Sequence, residues 1–373
     1  MKTISILIPE TAIPAAIVDP SYMFNAVNEF HRGAGLPVPF KVQLVAAKRE
    51  IFLNQGTISV RPDLLLADVS ETDLIIIPAL SGDMVAAISL NSDLILWVVN
   101  RYKSGSEVAS LCVGAFLLAS TGLLNGKSCS THWMFANQFR QLFPEVTLAD
   151  DRVIVDQNGI YSSGGAMAYW NLLLYLVEKY TNREMAIMAS KFFLLNVNLN
   201  SQSPFSIFKG QKDHGDCIIL EAQVYIETHY KNKITVDELA ALSNLSRRTF
   251  ERRFKKATSN SPAEYLQRVK IEAAKSLLES GRKTVNEVMF EVGYADLKAF
   301  RDVFKKTAGM SPVDYRKKYE SGLYGFTGLV PGTYTVTFTK PGLTYKPSPS
   351  DTPADDAKDS DANAISGKSG SIV

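Results

Sequence analysis

The chain has 373 residues, 46% of them hydrophobic and 10% aromatic, with 40 Lys and Arg against 38 Asp and Glu for a formal charge of +2. At roughly 150 residues per domain this predicts two or three domains with real cores, and it excludes both a single small module and global disorder. The near-zero total conceals an uneven distribution: residues 1–213 hold 16 basic and 18 acidic side chains, residues 214–320 hold 20 and 15, and residues 321–373 hold 4 and 5. The middle block alone is basic, and it is the candidate for a polyanionic partner.

The N-terminal apolar run Ile4, Ile6, Leu7, Ile8 is cut by Pro9 and Glu10, so it reads as a first strand and not as a signal peptide. Segments 4–8, 41–46, 74–78, 107–111, 152–156 and 160–162 are expected as strands, and 20–31, 84–101, 115–121 and 167–181 as helices. Strands such as Leu74-Ile75-Ile76-Ile77 are apolar on both faces, which predicts a parallel sheet covered by helices and an α/β first domain over 1–195. Only Cys112, Cys129 and Cys217 occur, without framework spacing, so no disulfide is expected and a cytoplasmic location is. No run of about 18 apolar residues predicts a membrane span.

Within that domain, 107–111 followed by Cys112-Val113-Gly114-Ala115 and a helix describes a strand, a tight turn and a helix. A thiol in such a turn faces free N–H groups that lower its pKa, which makes Cys112 a candidate nucleophile; a buried cysteine used as a small apolar residue is the other reading. Ser163-Gly164-Gly165 either adds backbone donors or only makes a turn.

Residues 196–216, rich in Asn, Ser and Gly, are expected as a linker. From 217 to 320 the pattern is helical and repeats: Thr235-x-x-Glu238 recurs as Thr284-x-x-Glu287, Phe254-Lys255-Lys256 as Phe304-Lys305-Lys306, and Ser261-Pro262 as Ser311-Pro312. Each Thr opens a capping box, and each first helix is followed by a four-residue turn and a second helix capped by Ser246 or Asp296. This is helix-turn-helix geometry in duplicate. Phe250 and Phe254, or Phe300 and Phe304, turn inward and leave Arg247, Arg248, Glu251, Arg252 and Lys298, Arg301, Asp302 facing out. Such a face fits the DNA major groove, where each good bidentate pair is worth roughly 1–3 kcal/mol of base discrimination.

At Gly293-Tyr294, Phe300, Phe304-Lys305-Lys306, Gly309, Ser311-Pro312 and Tyr315-Arg316 the block resembles the AraC/XylS DNA-binding domain. The resemblance implies two reading helices joined by a long helix over 262–278, with base contacts at Arg248, Glu251, Arg252, Leu297, Lys298, Arg301 and Asp302. Cys112-x-Gly114-Ala115-Phe116-x-Leu118-Ala119 with Thr131-His132-Trp133 resembles the PfpI-like, class I glutamine-amidotransferase-like domain, and the pairing of the two resembles GlxA-type regulators. It implies a transcription regulator that is not an enzyme and needs no cofactor. Its partners would be double-stranded DNA, a small effector near Cys112, Val113 and His132, a second copy of the chain, and RNA polymerase. The alternative is a Cys-dependent amidase or deglycase with an accessory DNA-binding domain; against it, Val113 stands where peptidase members carry His, and no carboxylate matches the family's usual glutamate.

In 321–373, Gly325-Phe326-Thr327-Gly328-Leu329-x-Pro331-Gly332 resembles Cna-B-like and SdrD B-like surface repeats. A hairpin is expected over 325–340, and no stable structure from 347 to 373.

Overall fold

The computed structural model describes residues 1–197 and 199–319, together with the short pairs Ala362–Asn363 (β12) and Lys368–Ser369 (β13), which run antiparallel. That small ladder departs from the absence of structure expected after 347; the hairpin expected over 325–340 lies outside the described residues.

The chain opens with β1 (Lys2–Leu7), α1 (Pro14–Gly33) and β2 (Phe40–Ala46), followed by an antiparallel hairpin of β3 (Ile51–Leu53) and β4 (Ile58–Val60). The edge strand β5 (Leu64–Leu65) and the central β6 (Leu74–Ile77) come next, then α2 (Met84–Leu90), α3 (Ser92–Lys103), β7 (Glu107–Ser110) and α4 (Ala115–Ser120). A parallel pair, β8 (Ser128–Cys129) and β9 (Thr147–Leu148), flanks α5 (Ala136–Leu142). The domain closes with β10 (Ile154–Asp156), β11 (Ile160–Ser163), α6 (Tyr169–Tyr180) and α7 (Arg183–Phe192).

Seven strands form one sheet in the order β10-β11-β7-β6-β1-β2-β5, parallel except for β10 against β11. Its central row sets Ile6 beside Ile76 and Ile76 beside Ala109, all fully buried, because α1, α6 and α7 cover one face while α2 to α4 cover the other. This is the doubly wound α/β fold the apolar strands predict.

Two expectations shift for physical reasons. Helix α1 starts at Pro14, six residues before the expected Pro20, and carries Pro20 inside it. Proline in a helix interior costs about 3 kcal/mol, and burial of Ala16, Ile17, Met23, Phe24 and Val27 against the sheet outweighs it. The single helix expected over 84–101 is broken at Asn91, whose buried side chain donates to the Ala87 carbonyl at 2.7 Å and accepts from the Glu10 N–H at 2.9 Å.

The helical region contains α8 (Cys217–His229), α9 (Val236–Leu242), α10 (Arg247–Thr258), α11 (Pro262–Glu279), α12 (Val285–Glu291), α13 (Leu297–Ala308) and α14 (Pro312–Tyr319). It holds two cores. Ile219, Ile226, Leu239, Phe250, Phe254 and Tyr265 form one; Ile271, Leu278, Val288, Phe300, Phe304 and Tyr315 form the other. Helix α11 serves both, with Tyr265 in the first and its last two turns in the second.

The segment 196–216 is not a free spacer. It contains a 3-10 turn, Ser203–Phe205, and buries Gln202, Pro204 and Gln211. Phe254→Ala is expected to destabilise the helical region by about 3–5 kcal/mol, measured by urea denaturation followed by circular dichroism.

Candidate nucleic-acid interface and cysteine turn

The two helix-turn-helix units are built alike. Thr235 Oγ1 accepts from the Glu238 N–H at 3.2 Å and Thr284 Oγ1 from the Glu287 N–H at 3.3 Å, each returned by the glutamate to the threonine N–H. Ser246 and Asp296 cap the second helices through the N–H groups of Thr249 and Ala299. Each turn needs one left-handed residue, Asn244 at φ +52° and Gly293 at φ +77°. A Cβ at 293 would stand 2.2 Å from the Lys231 carbonyl oxygen, so only glycine fits there. Lys270 Nζ, from α11, donates to the Gly293 carbonyl at 3.0 Å and ties the second turn to the central helix.

Phe250, Phe254, Phe300 and Phe304 are fully buried, and the opposite faces of α10 and α13 are open to solvent. Arg248, Arg252, Lys298 and Arg301 are exposed, with no hydrogen bond or ion pair to other described residues. Arg247 differs: it pairs with Asp237 at 3.0 Å and with Glu251 at 3.2 Å. These are exposed pairs worth about 0–1 kcal/mol, weak enough for a phosphate to displace. Asp302 is exposed, whereas Leu297 is half-buried against the second core and is packing first. Arg253 pairs with Asp216 and joins α10 to the start of α8.

In the α/β domain β7 delivers Cys112 to a tight turn at φ +54°, the left-handed conformation that non-glycine residues rarely adopt. Gly114 permits the turn: a Cβ there would lie 2.5 Å from the Pro78 carbonyl oxygen. The Cys112 backbone is held on both sides, its N–H donating to Ser163 Oγ at 3.3 Å and its carbonyl accepting from Thr131 Oγ1 at 3.1 Å. The geometry is that of a nucleophile turn, but the electrostatics are not. The residue is 4% exposed, and burial pushes its thiol up to about 11, with the Val113 N–H offsetting part of the effect. The expectation of a lowered pKa is overturned because desolvation outweighs the short helix behind the turn.

Val113 is buried beside it. His132 comes close in the chain path, since its neighbour Thr131 bonds Cys112, but among the described residues it makes no bond to the thiol. Its Nδ1 accepts from the Met134 N–H at 3.1 Å, and burial lowers its pKa, which keeps the ring neutral. Glu10 pairs with Lys48 at 2.6 Å. Sequence reasoning missed Asp19, which accepts from Tyr169 Oη at 2.5 Å; burial, Asp19 and then Cys112 raise the Tyr169 pKa. Starting α1 at Pro20 hid this carboxylate, although Asp19 follows the buried Ala16 by three positions and precedes the buried Met23 by four, as one helix face requires. A cavity of about 450 Å³ opens elsewhere, between the α/β and helical domains, beside Trp133, Arg140, Asp150, Lys209, Arg268 and Lys306; Cys112, Val113 and His132 do not line it.

Residues 10–179 match the DJ-1/PfpI family, and residues 239–318 match a helix-turn-helix domain. The chain joins a DJ-1/PfpI domain to an AraC-type helix-turn-helix domain. A third match, to an SdrD B-like domain, covers 302–373; its first part overlaps α13 and α14, which are helical, and the resembling residues 325–332 lie outside the described structure. Among similar proteins, the HTH-type transcriptional regulator GbdR of Pseudomonas aeruginosa is 26% identical over 270 residues, 72% of each chain. The HTH-type transcriptional regulator GlxA of Rhizobium meliloti is 20% identical over 217 residues, 58% of this chain and 67% of GlxA. An AraC family transcriptional regulator from Pseudomonas putida, solved as a crystal structure, is 15% identical with a TM-score of 0.41 over 52% of this chain and 100% of that one.

For the DJ-1/PfpI domain the buried thiol has a direct consequence. With iodoacetamide between pH 7 and 9, exposed Cys217 is expected to label readily and Cys112 slowly, with Cys112 labelling accelerating only as pH approaches about 11. Fast labelling of Cys112 at pH 7, read by peptide mass spectrometry, would contradict this.

Proposed function

We propose that this chain is a sequence-specific DNA-binding transcription regulator, in which the DJ-1/PfpI domain senses a small effector and pairs with a second copy while the AraC-type domain reads the operator. One observation carries the DNA reading: two helix-turn-helix units with the same caps, the same buried Phe pair and an exposed basic face, joined through one helix. Arg248, Arg252 and Arg301 are assigned to guanine edges, Glu251 and Asp302 to cytosine amino groups, and Arg247 and Lys298 to base edges or neighbouring phosphates. Cys112, Val113 and His132 are assigned to the effector side of the α/β domain, at the C-terminal ends of the strands where open parallel sheets hold ligands. Among the described residues no helix is long and apolar enough to cross a membrane, and work on cytoplasmic DNA is part of the proposal.

The enzyme reading asks Cys112 to be a thiolate with a base beside it. Burial of the thiol and the engagement of His132 Nδ1 by Met134 favour a binding role over hydrolysis.

Arg248→Ala is expected to weaken binding to the selected operator about 5- to 150-fold, and binding to random duplex far less, by fluorescence anisotropy at fixed salt. Lys255→Ala is expected to weaken both alike and to reduce the slope of log affinity against log salt by about 1. Equal losses for Arg248→Ala on both duplexes would exclude direct readout by that side chain.

A further inference from the structure

Gln202 lies in the segment between the two domains, yet it is 2% exposed and its side chain sits inside the α/β domain. Its Oε1 accepts from the Trp133 N–H and the Gly165 N–H, both at 3.2 Å. Its Nε2 donates to the Thr131 carbonyl at 2.9 Å and to the Arg152 carbonyl at 3.1 Å. The carboxamide lies flat on Gly164, where an added Cβ would meet its three head atoms at 2.4 to 2.7 Å. Two donors and two acceptors, all from backbone, are thus matched to one primary amide. A carboxylate in the same place would set an oxygen against two carbonyl oxygens, and an apolar side chain would leave the Thr131 carbonyl and the Trp133 and Gly165 N–H groups unpaired, at about 1–3 kcal/mol each, while the Arg152 carbonyl keeps its bond from Ser130 Oγ at 2.6 Å.

The frame adjoins the cysteine turn, because Thr131 also donates to the Cys112 carbonyl. On its other side the chain passes straight into the helical region. Ser203 and Pro204 pack at 3.2 and 3.3 Å from the Cβ position of Gly309, the residue that ends α13. Tyr319 Oη donates to the Pro204 carbonyl at 3.1 Å, Lys318 Nζ stands 3.8 Å from the Phe205 ring centroid, and buried Lys275 of α11 donates to the Ser206 carbonyl. Within five residues the chain is fastened first to the α/β domain and then to α11, α13 and α14.

We propose that the backbone frame of Thr131, Trp133, Arg152 and Gly165 is a primary-carboxamide site, filled in cis by Gln202, and that this side chain is a latch that locks the interdomain segment on the α/β domain beside two backbone bonds, Gln202 N–H to the Asp151 carbonyl at 2.9 Å and Val153 N–H to the Asn200 carbonyl at 3.3 Å. The site selects carboxamides over carboxylates. Its opening frees the segment that packs against the end of the second reading helix, α13. The meaning of that release for DNA rests on the regulator reading; the latch does not, and its tests involve no DNA.

In the full-length wild type the amides of Trp133 and Gly165 are expected to exchange with deuterium at least tenfold slower than open loop amides, since Gln202 is their acceptor. Exchange at the loop rate would overturn the proposal without any variant. Gln202→Ala and Gln202→Glu are each expected to raise tryptic cleavage at Lys209 tenfold or more while circular dichroism stays native, and Gly164→Ala is expected to do so from the opposite side of the contact. Propionamide at high concentration is expected to raise the Tm of Gln202→Ala and not that of wild type, and propionate to raise neither. Unchanged cleavage in folded Gln202→Ala, or equal stabilisation by propionate, would reject the latch.

Discussion

The reading half of the molecule depends on one helix being buried twice. Tyr265 near the start of α11 closes the first core with Phe250 and Phe254; Ile271, Ala274 and Leu278 near its end close the second with Phe300 and Phe304. An 18-residue helix spans about 27 Å, so the two cores built on its two ends are held apart by a rod that cannot shorten. The capping box at Ser261 starts that rod, and Lys270 clamps its middle to the second turn. Each phenylalanine pair is covered in part by α11, so the two units share one structural element.

In the DJ-1/PfpI half the corresponding constraint is a carbonyl pair. The Ile77 and Pro78 oxygens approach Gly114 so closely that no side chain fits, and glycine there permits the Cys112 turn whether or not chemistry follows. The turn is that of a nucleophile, while the surroundings are those of a packed core: a thiol 4% exposed, a neutral histidine committed to Met134, and a carboxylate, Asp19, committed to Tyr169. A backbone turn of the kind that carries a nucleophile and the surroundings of a packed core therefore coexist at one residue.

The segment between the domains was the least legible part. Asn, Ser and Gly are turn formers and predict a spacer, yet a single glutamine there finds four backbone partners contributed by three separate loops. Nothing local in 196–216 announces this, since the complementary groups are main-chain atoms that any residue carries. Asp19 was hidden by a nearer cause: Pro20 is a strong local signal for a helix start, and tertiary burial of the α1 face overrode it.

Periodicity, caps and the internal repeat determined the duplicated helical module and its outward basic side chains, because those patterns record local hydrogen bonding and a single buried face. Continuously apolar strands likewise determined the doubly wound sheet, through the need to cover both of its faces. Only the tertiary structure decided the state of the Cys112 thiol, the partner of Asp19, the pairing of Arg247 and the docking of Gln202. Each depends on desolvation or on contacts between residues distant in the chain, and a one-dimensional pattern carries neither.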